Sequence, residues 1–340
     1  MIVIESDPIY VRASVSGLCN LNCVYCPKKE GMENRVPNYL RGNDLSVEDY
    51  CKNLMHLARN GITGISFTGG EPTLNPNLPL IISNARKIFN RVELTTNGFR
   101  LPELLPKISS NLDLLKISLD AVDAVMVKEI TKGKLNEINT AVEAIKLGYE
   151  AGLKVGVNTV VMRSNLNQID LIINLCKSID KNNTGKIYVS LLDFYFSMEK
   201  KDYWEREFMP LHELEDRFTK LYGKPEIQER FGCKFYWFDA NGIKVRFKDS
   251  ISATYRAAKC ENCKLYCQEG IYGLKYSVEG WVTTCPTGDE NYGVLLSPNL
   301  SNEKADSLLS QLFADIKNAK PNSNSFNELI KTHDLKPIIN

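Results

Sequence analysis

Between Tyr10 and about Asp193 the apolar residues follow two alternating periods. Runs of strand length (Tyr10–Ser16, Gly61–Phe67, Val92–Thr96, Leu115–Asp120, Lys154–Val161 and Lys186–Leu192) are separated by stretches with apolar residues every three or four positions. The first such stretch opens on Ser46 and Asp49 as an N-cap pair, and Val47, Cys51, Leu54, Met55 and Ala58 share one helical face behind it. Others centre on Ile138, Val142, Ile145 and Tyr149, and on Ile169, Ile172 and Cys176. Cys51 and Cys176 are therefore expected in the core. Strands alternating with helices predict right-handed crossovers and a parallel sheet. Six such units predict an α/β fold, a partial (β/α)6 TIM barrel with its active site at the C-terminal ends of the strands.

After Phe194 the pattern becomes charged and aromatic. One helix is predicted near Leu211 to Tyr222, then a hairpin of Lys234–Phe238 and Ile243–Phe247 turning at Asn241-Gly242. Gly273–Ser277 and Trp281–Cys285 form a second strand pair around Glu279-Gly280, and an amphipathic helix follows near Ala305 to Ile316. The tail from Pro321 is polar.

Composition narrows the class. A chain of 340 residues, 43% hydrophobic, can bury one large core with an appendage, or two cores. The net charge of +1, with both signs interspersed, gives no support for a nucleic-acid partner and does not exclude one. Met1 to Asp7 lacks the basic and apolar regions of a secretion signal, and no apolar run approaches the ~20 residues of a membrane helix, so no membrane association is expected. The ten cysteines gather as Cys19, Cys23 and Cys26, and as Cys233, Cys260, Cys263, Cys267 and Cys285, with Cys51 and Cys176 alone. Clusters of this kind in an untargeted chain read as metal sites in a reducing, cytoplasmic setting.

The polar and glycine-rich signals fall where strand ends are predicted. They are the loop Cys19–Cys26, the turn Thr68-Gly69-Gly70-Glu71-Pro72, the stretch Thr95-Thr96-Asn97-Gly98, and Ser118-Leu119-Asp120. One mouth would collect them. The C-x3-C-x2-C spacing lets three thiolates ligate one iron–sulfur cube and leaves one iron without a protein ligand. Zinc would want a fourth Cys or His, yet His56, His212 and His333 all stand elsewhere. A disulfide framework suits short, oxidised chains. Gly69 and Gly70 permit close backbone approach or positive φ, and backbone groups there could hold an ammonium; alone, the turn is an ordinary strand-to-helix connection.

Taken together, the cysteine loop and the Gly69-Gly70-Glu71-Pro72 turn resemble the radical S-adenosylmethionine (SAM) superfamily, and within it the GTP 3′,8-cyclases of molybdenum-cofactor biosynthesis. The likeness includes Arg12-Ala13-Ser14-Val15, Cys19-Asn20 through Tyr25-Cys26, Leu94-Thr95-Thr96-Asn97-Gly98, Ile117-Ser118-Leu119-Asp120-Ala121, Val157-Asn158-Thr159-Val160-Val161, the hairpin and the Cys260-x2-Cys263 pair. The resemblance implies a [4Fe–4S] cluster on Cys19, Cys23 and Cys26 whose open iron holds the amino and carboxylate groups of SAM. Reductive cleavage of the sulfonium, with electrons from an external donor such as flavodoxin or ferredoxin, yields a 5′-deoxyadenosyl radical that takes hydrogen from a substrate. It further implies that Gly69, Gly70 and Glu71 hold the methionyl amine, that Tyr25 lies by the adenine, and that Ser118 meets the methionyl or ribose moiety. Asp120 and Asn158 join the cofactor residues, and Arg12, Thr95 and Lys275 the substrate residues. Simpler readings stay open: a strand-end hydroxyl for Ser118, a helix cap for Asp120 and a core amide for Asn158.

The same resemblance divides the chain into a barrel, 1–222, and a small C-terminal α+β domain, 223–340, of the twitch type. It implies an auxiliary [4Fe–4S] cluster on Cys260, Cys263 and Cys285 with an iron open to substrate. Cys267 lies in a longer intervening segment and, as in the related SPASM arrangement, could complete the ligand set; zinc on all four is another alternative. Cys233 reads as a buried thiol.

Departures bear on the substrate. Ser66-Phe67 stands where the cyclases carry a phosphate-binding Arg, Gly156 where they carry Lys, and Lys264-Leu265-Tyr266-Cys267 with Gly273-Leu274-Lys275 replaces an arginine-rich segment. Charge-assisted contacts of that kind are worth about 1.5–3 kcal/mol each. The expectation is a paralogue acting on a less anionic small molecule (a nucleoside, nucleotide or sugar) in a biosynthetic or tailoring pathway. A peptide maturase is the second reading, weakened by the nine or so residues before the first strand, too few for a leader-binding module. GTP cyclisation at a remodelled site and a non-catalytic metal protein are the others.

Overall fold

The computed structural model describes residues 2–4, 10–27, 42, 44–230, 233–249, 254–258, 260, 274–285 and 293–322. The chain runs β1 (Ile2–Ile4), β2 (Tyr10–Ser14), α1 (Val47–Arg59), β3 (Gly64–Thr68), α2 (Leu78–Ile88), β4 (Arg91–Thr96), α3 (Leu101–Ile108), β5 (Leu114–Ser118), α4 (Ala124–Thr131) and α5 (Glu137–Glu150). It continues through β6 (Lys154–Val161), α6 (Ile169–Ile179), β7 (Ile187–Asp193), α7 (Lys201–Glu207) and α8 (Leu211–Tyr222). Strands β2 to β7 stand side by side in chain order and pair in parallel throughout, which is the predicted partial barrel.

Strand parity sorts the side chains into two layers. One row, Phe67, Leu94, Leu115, Val155 and Ile187, runs in register across five strands and is buried in the helix-covered core. The alternate row on the concave face is polar: Ser66 is registered on Glu93, Thr95 on Lys116, and Ser118 on Asn158 and then Ser190. An alternation this clean fixes which face each residue meets, because a one-residue slip would bury the charges and expose the aliphatics.

Helix α1 departs from expectation in an instructive way. Ser46 caps it as predicted, its Oγ accepting from Asp49 N at 3.1 Å. Met55, however, is 47% exposed, while Asn53 and His56 are buried. The cause is a second buried face. After β8 (Glu226–Arg230), β9 (Cys233–Ala240), β10 (Ile243–Asp249), β11 (Thr254–Arg256), β12 (Leu274–Tyr276), β13 (Trp281–Thr283) and β14 (Gly293–Leu295) comes α9 (Asn302–Lys317), ahead of β15 (Lys320–Asn322). Helix α9 and the chain after β14 pack on α1. Asn53 Nδ2 donates to Leu296 O at 2.9 Å, and His56 Nδ1 lies 2.8 Å from Asp306 Oδ1. Cys176 is fully buried; Cys51 is half-buried at the core's edge.

The elements after residue 223 extend the barrel sheet at both edges. β10 pairs in parallel with β7, and β9, β8 and β1 follow outward. At the other edge β12 pairs in parallel with β2, and β13 and β14 follow. The hairpin turn Asn241-Gly242 has φ of 56° and 98°, as a two-residue turn of this hand requires. Strand β1, helix α7 and strand β8 were not predicted. Among the described residues no helix is long and apolar enough to cross a membrane.

Candidate active site

The loop after β2 is fastened to three other strand ends. Gly70 N donates to Ser16 O and Glu71 N to Leu18 O, both at 2.7 Å, which joins the loop to the turn after β3. Asn97 Nδ2 donates to Asn20 Oδ1 at 2.9 Å beyond β4, and Tyr25 Oη donates to Asp120 Oδ2 at 2.7 Å beyond β5. Asn22 N and Val24 N donate to Thr131 O and Ile130 O, tying the loop to the end of α4. The two glycines are needed for the approach. A Cβ on Gly70 would stand 2.3 Å from Leu18 O, and one on Gly69, at φ +144°, would stand 2.5 Å from Ser16 O.

Glu71 is committed to the chain itself. Its Oε1 accepts from Thr73 N, Thr73 Oγ1 and Thr96 Oγ1, and its Oε2 from Asn97 N at 2.8 Å. Burial pushes its carboxyl up, and those four bonds oppose the shift. Asp120 is likewise buried, which lifts its carboxyl to about 6 against the opposing bonds from Tyr25 and from Val160 N. It does not cap the next helix; Asp123 does, accepting from Met126 N at 2.8 Å.

These residues fit an iron–sulfur cluster and SAM on three observations. Burial drives the Cys23 thiol far up, with Asp120, Cys26 and Cys19 adding to the effect. A thiolate there calls for cationic metal beside it. The backbone cradle between the loop and the Gly69-Gly70 turn admits no side chain. Asn158 Oδ1, in the middle of β6 and registered on Ser118 at the end of β5, is buried without a hydrogen-bond partner, an acceptor in need of a donor. Among the described residues no three Cys, His, Asp or Glu side chains are gathered as ligands of a single ion would be.

Deeper in the barrel, Lys116 Nζ pairs with Glu93 and reaches Ser66 Oγ at 3.5 Å, while Arg91 Nε meets Glu93 Oε1 at 2.5 Å. Burial alone would raise the Glu93 carboxyl; Lys116 and Arg91 outweigh it and hold it at about 2. Arg12 and Lys275 are register neighbours across β2 and β12. Thr95 lies beside Lys116. Reading the sequence missed Arg246, Tyr188 and Trp237, which share this concave side. The alternation Lys244, Val245, Arg246, Phe247 was visible, but only the pairing of β10 with β7 shows that its polar side faces the barrel. Of the auxiliary-cluster residues, Cys260 is half-buried against the core and Cys285 follows β13. Cys263, Cys267 and the side chain of Cys233 lie outside the described residues.

Residues 14–176 match the family model described as the radical SAM superfamily. A probable GTP 3′,8-cyclase of Methanococcus aeolicus is 26% identical over 295 residues, covering 85% of this chain and 88% of its own. The GTP 3′,8-cyclase of Clostridium botulinum is 28% identical over 275 residues, covering 76% and 84%. In fold, Streptococcus suis SuiB bound to S-adenosylmethionine superposes with a TM-score of 0.58 at 16% identity, over 91% of this chain and 68% of that one. Native anSMEcpe with bound AdoMet does so with a TM-score of 0.55 at 15% identity, over 91% and 83%. Cysteine loop, glycine turn and strand order thus agree with the match of residues 14–176 to a radical SAM domain on a partial barrel, and that match together with the cyclase-named relatives supports an enzyme of SAM radical chemistry.

Proposed function

We propose that this enzyme abstracts a hydrogen atom from a small, nucleoside-, nucleotide- or sugar-like substrate held on the concave face of the barrel. When bound at Cys19, Cys23 and Cys26, the reduced cluster supplies the electron that cleaves SAM. The chain positions that event. Tyr25 and Asp120 clamp the loop to β5, the Gly69-Gly70 turn lets the backbone close on it, and Ser118 and Asn158 receive the cofactor. The observation that carries the reading is the cysteine loop fastened to the turn after β3, together with the unpartnered Asn158 carbonyl oxygen in β6. GTP 3′,8-cyclisation is the second reading, favoured by the names of the relatives at 26% and 28% identity.

In this reading residues 223–340 are a functional unit carrying an auxiliary [4Fe–4S] cluster on Cys260, Cys263 and Cys285, with Cys267 deciding whether one iron stays open. The external donor is an electron carrier such as flavodoxin or ferredoxin, and the setting is cytoplasmic. The test is anaerobic reconstitution followed by SAM, reductant and deuterated candidates. Deuterium from a nucleoside, nucleotide or sugar recovered in 5′-deoxyadenosine supports the reading. Cyclised product from GTP moves the assignment to the second reading, and transfer only from a peptide overturns both.

A further inference from the structure

Ser118, Asn158, Ser190, Arg246 and Trp237 form one continuous row across β5, β6, β7, β10 and β9. Parity places the row on the concave face, because the neighbours Val245 and Phe247 are buried in the opposite layer, where Phe247 meets Phe218 of α8 edge-on. One end of the row belongs to the cofactor residues. The other end is a guanidinium. Arg246 donates from Nε at 3.1 Å and from a terminal nitrogen at 2.7 Å, both to Ser190 Oγ. Its guanidinium carbon lies 5.6 Å from the ring centre of Tyr188, 5.2 Å from Phe235 and 5.6 Å from Trp237. Gly156 makes room for this arrangement, since a Cβ there would stand 2.6 Å from the Tyr188 phenol.

None of these partners carries negative charge. Aromatic faces ease the burial of a guanidinium without neutralising it, and one hydroxyl oxygen is a single acceptor for five donors. Glu93, the acid on the same face, is already held by Lys116 and Arg91. Among the described residues no carboxylate is ion-paired with Arg246. A planar guanidinium fork, steadied along one edge and flanked by rings, matches the paired oxygens of a carboxylate or phosphate.

We propose that Arg246, backed by Ser190 and flanked by Tyr188 and Trp237, binds an anionic group of the substrate, a carboxylate or a phosphate. The orientation rests on the reading of the barrel mouth given above. Strands stand about 4.8 Å apart, so Arg246 lies about 10 Å across the sheet from Asn158. The anion therefore marks the far end of a small molecule whose reacting carbon points toward the cysteine loop. Within that reading the substrate is a nucleotide, a sugar phosphate or a sugar acid with one anchored charge.

Inorganic phosphate and acetate, titrated separately into the full-length reconstituted protein, test this through the fluorescence of Trp237, with Trp237→Phe as the blank. Saturable quenching by either anion is expected, and whichever binds names the source of the charge. Arg246→Gln should weaken that binding about tenfold or more, and Arg246→Lys, which keeps the charge without the fork, should fall between. Arg217→Gln removes a surface charge on α8 and should bind like the wild type. A wild type that answers to neither anion overturns the proposal, as does a folded Arg246→Gln protein with unchanged affinity. If Arg246→Gln does not fold, an unchanged affinity in Arg246→Lys overturns it in the same way. SAM cleavage by the wild type without added anion is measured in parallel. Its absence would remove the radical reading while leaving the anion site standing, and the titration fails or succeeds without SAM.

Discussion

Asn158 separates function from architecture at the level of a single side chain. A buried carbonyl oxygen without a partner costs the fold about 1–3 kcal/mol, so a role in stability would be the wrong reason to find it there. Asn158→Leu should therefore leave the melting temperature unchanged or raised, while SAM affinity measured by equilibrium dialysis falls roughly tenfold. A protein that loses stability and keeps SAM affinity would make Asn158 a core amide after all. Gly70 predicts the reverse pairing. In Gly70→Ala the new methyl must displace the Leu18 carbonyl, so stability should drop by about 1–3 kcal/mol in denaturant titration, and the iron–sulfur absorption should be lost with it. Both positions were named from sequence, because a polar residue in an aliphatic strand and paired glycines after one are local signals. Glu71 and Asp120 were named too, yet their work of binding Thr96, Asn97, Tyr25 and Val160 rests on neighbours that only folding brings together.

At the scale of elements, the pair linking β4 to β5 makes stability depend on pH. Glu93 titrates near 2 in the fold against an ordinary 4.5, so its contribution is full above about 4.5 and disappears as the pH falls through 2. That shift corresponds to roughly 3 kcal/mol. Glu93→Gln should cost about 3–5 kcal/mol by leaving Lys116 buried and unpaired, Lys116→Met should cost less because Arg91 still holds Glu93, and the double variant should recover much of the larger penalty. Urea titrations at pH 7 and pH 3 check this, since the single-variant penalty of Glu93→Gln should shrink at the lower pH. The six barrel strands were legible because each keeps an aliphatic row in register, Leu94 to Leu115 to Val155. The face of α1 was less so. A period of 3.6 shows that a helix has a buried side, but not that α9 covers a second one through His56 and Asp306. Arg246 was hidden for the same reason, since the hairpin's polar parity reads equally as solvent or as barrel interior.

For the whole molecule, both edges of the barrel sheet are closed by strands from the C-terminal third, β10 on β7 and β12 on β2. The division proposed at residue 222 therefore does not coincide with a break in the sheet. A fragment of residues 1–222 should expose two unpaired edges and aggregate, as analytical sedimentation would show. A soluble, cooperatively melting fragment would say instead that the two parts fold separately. Within the barrel, the cysteine loop, the Gly69-Gly70 turn and the ends of β4 and β5 converge at one mouth. The most direct measurement is 5′-deoxyadenosine formed from SAM by the anaerobically reconstituted, reduced full-length protein. It should accumulate in the wild type and vanish in Cys19→Ala, Cys23→Ala and Cys26→Ala alike. No 5′-deoxyadenosine from a wild type whose iron–sulfur absorption is intact, or an undiminished yield in any of the three variants, would contradict a SAM-cleaving cluster at that loop.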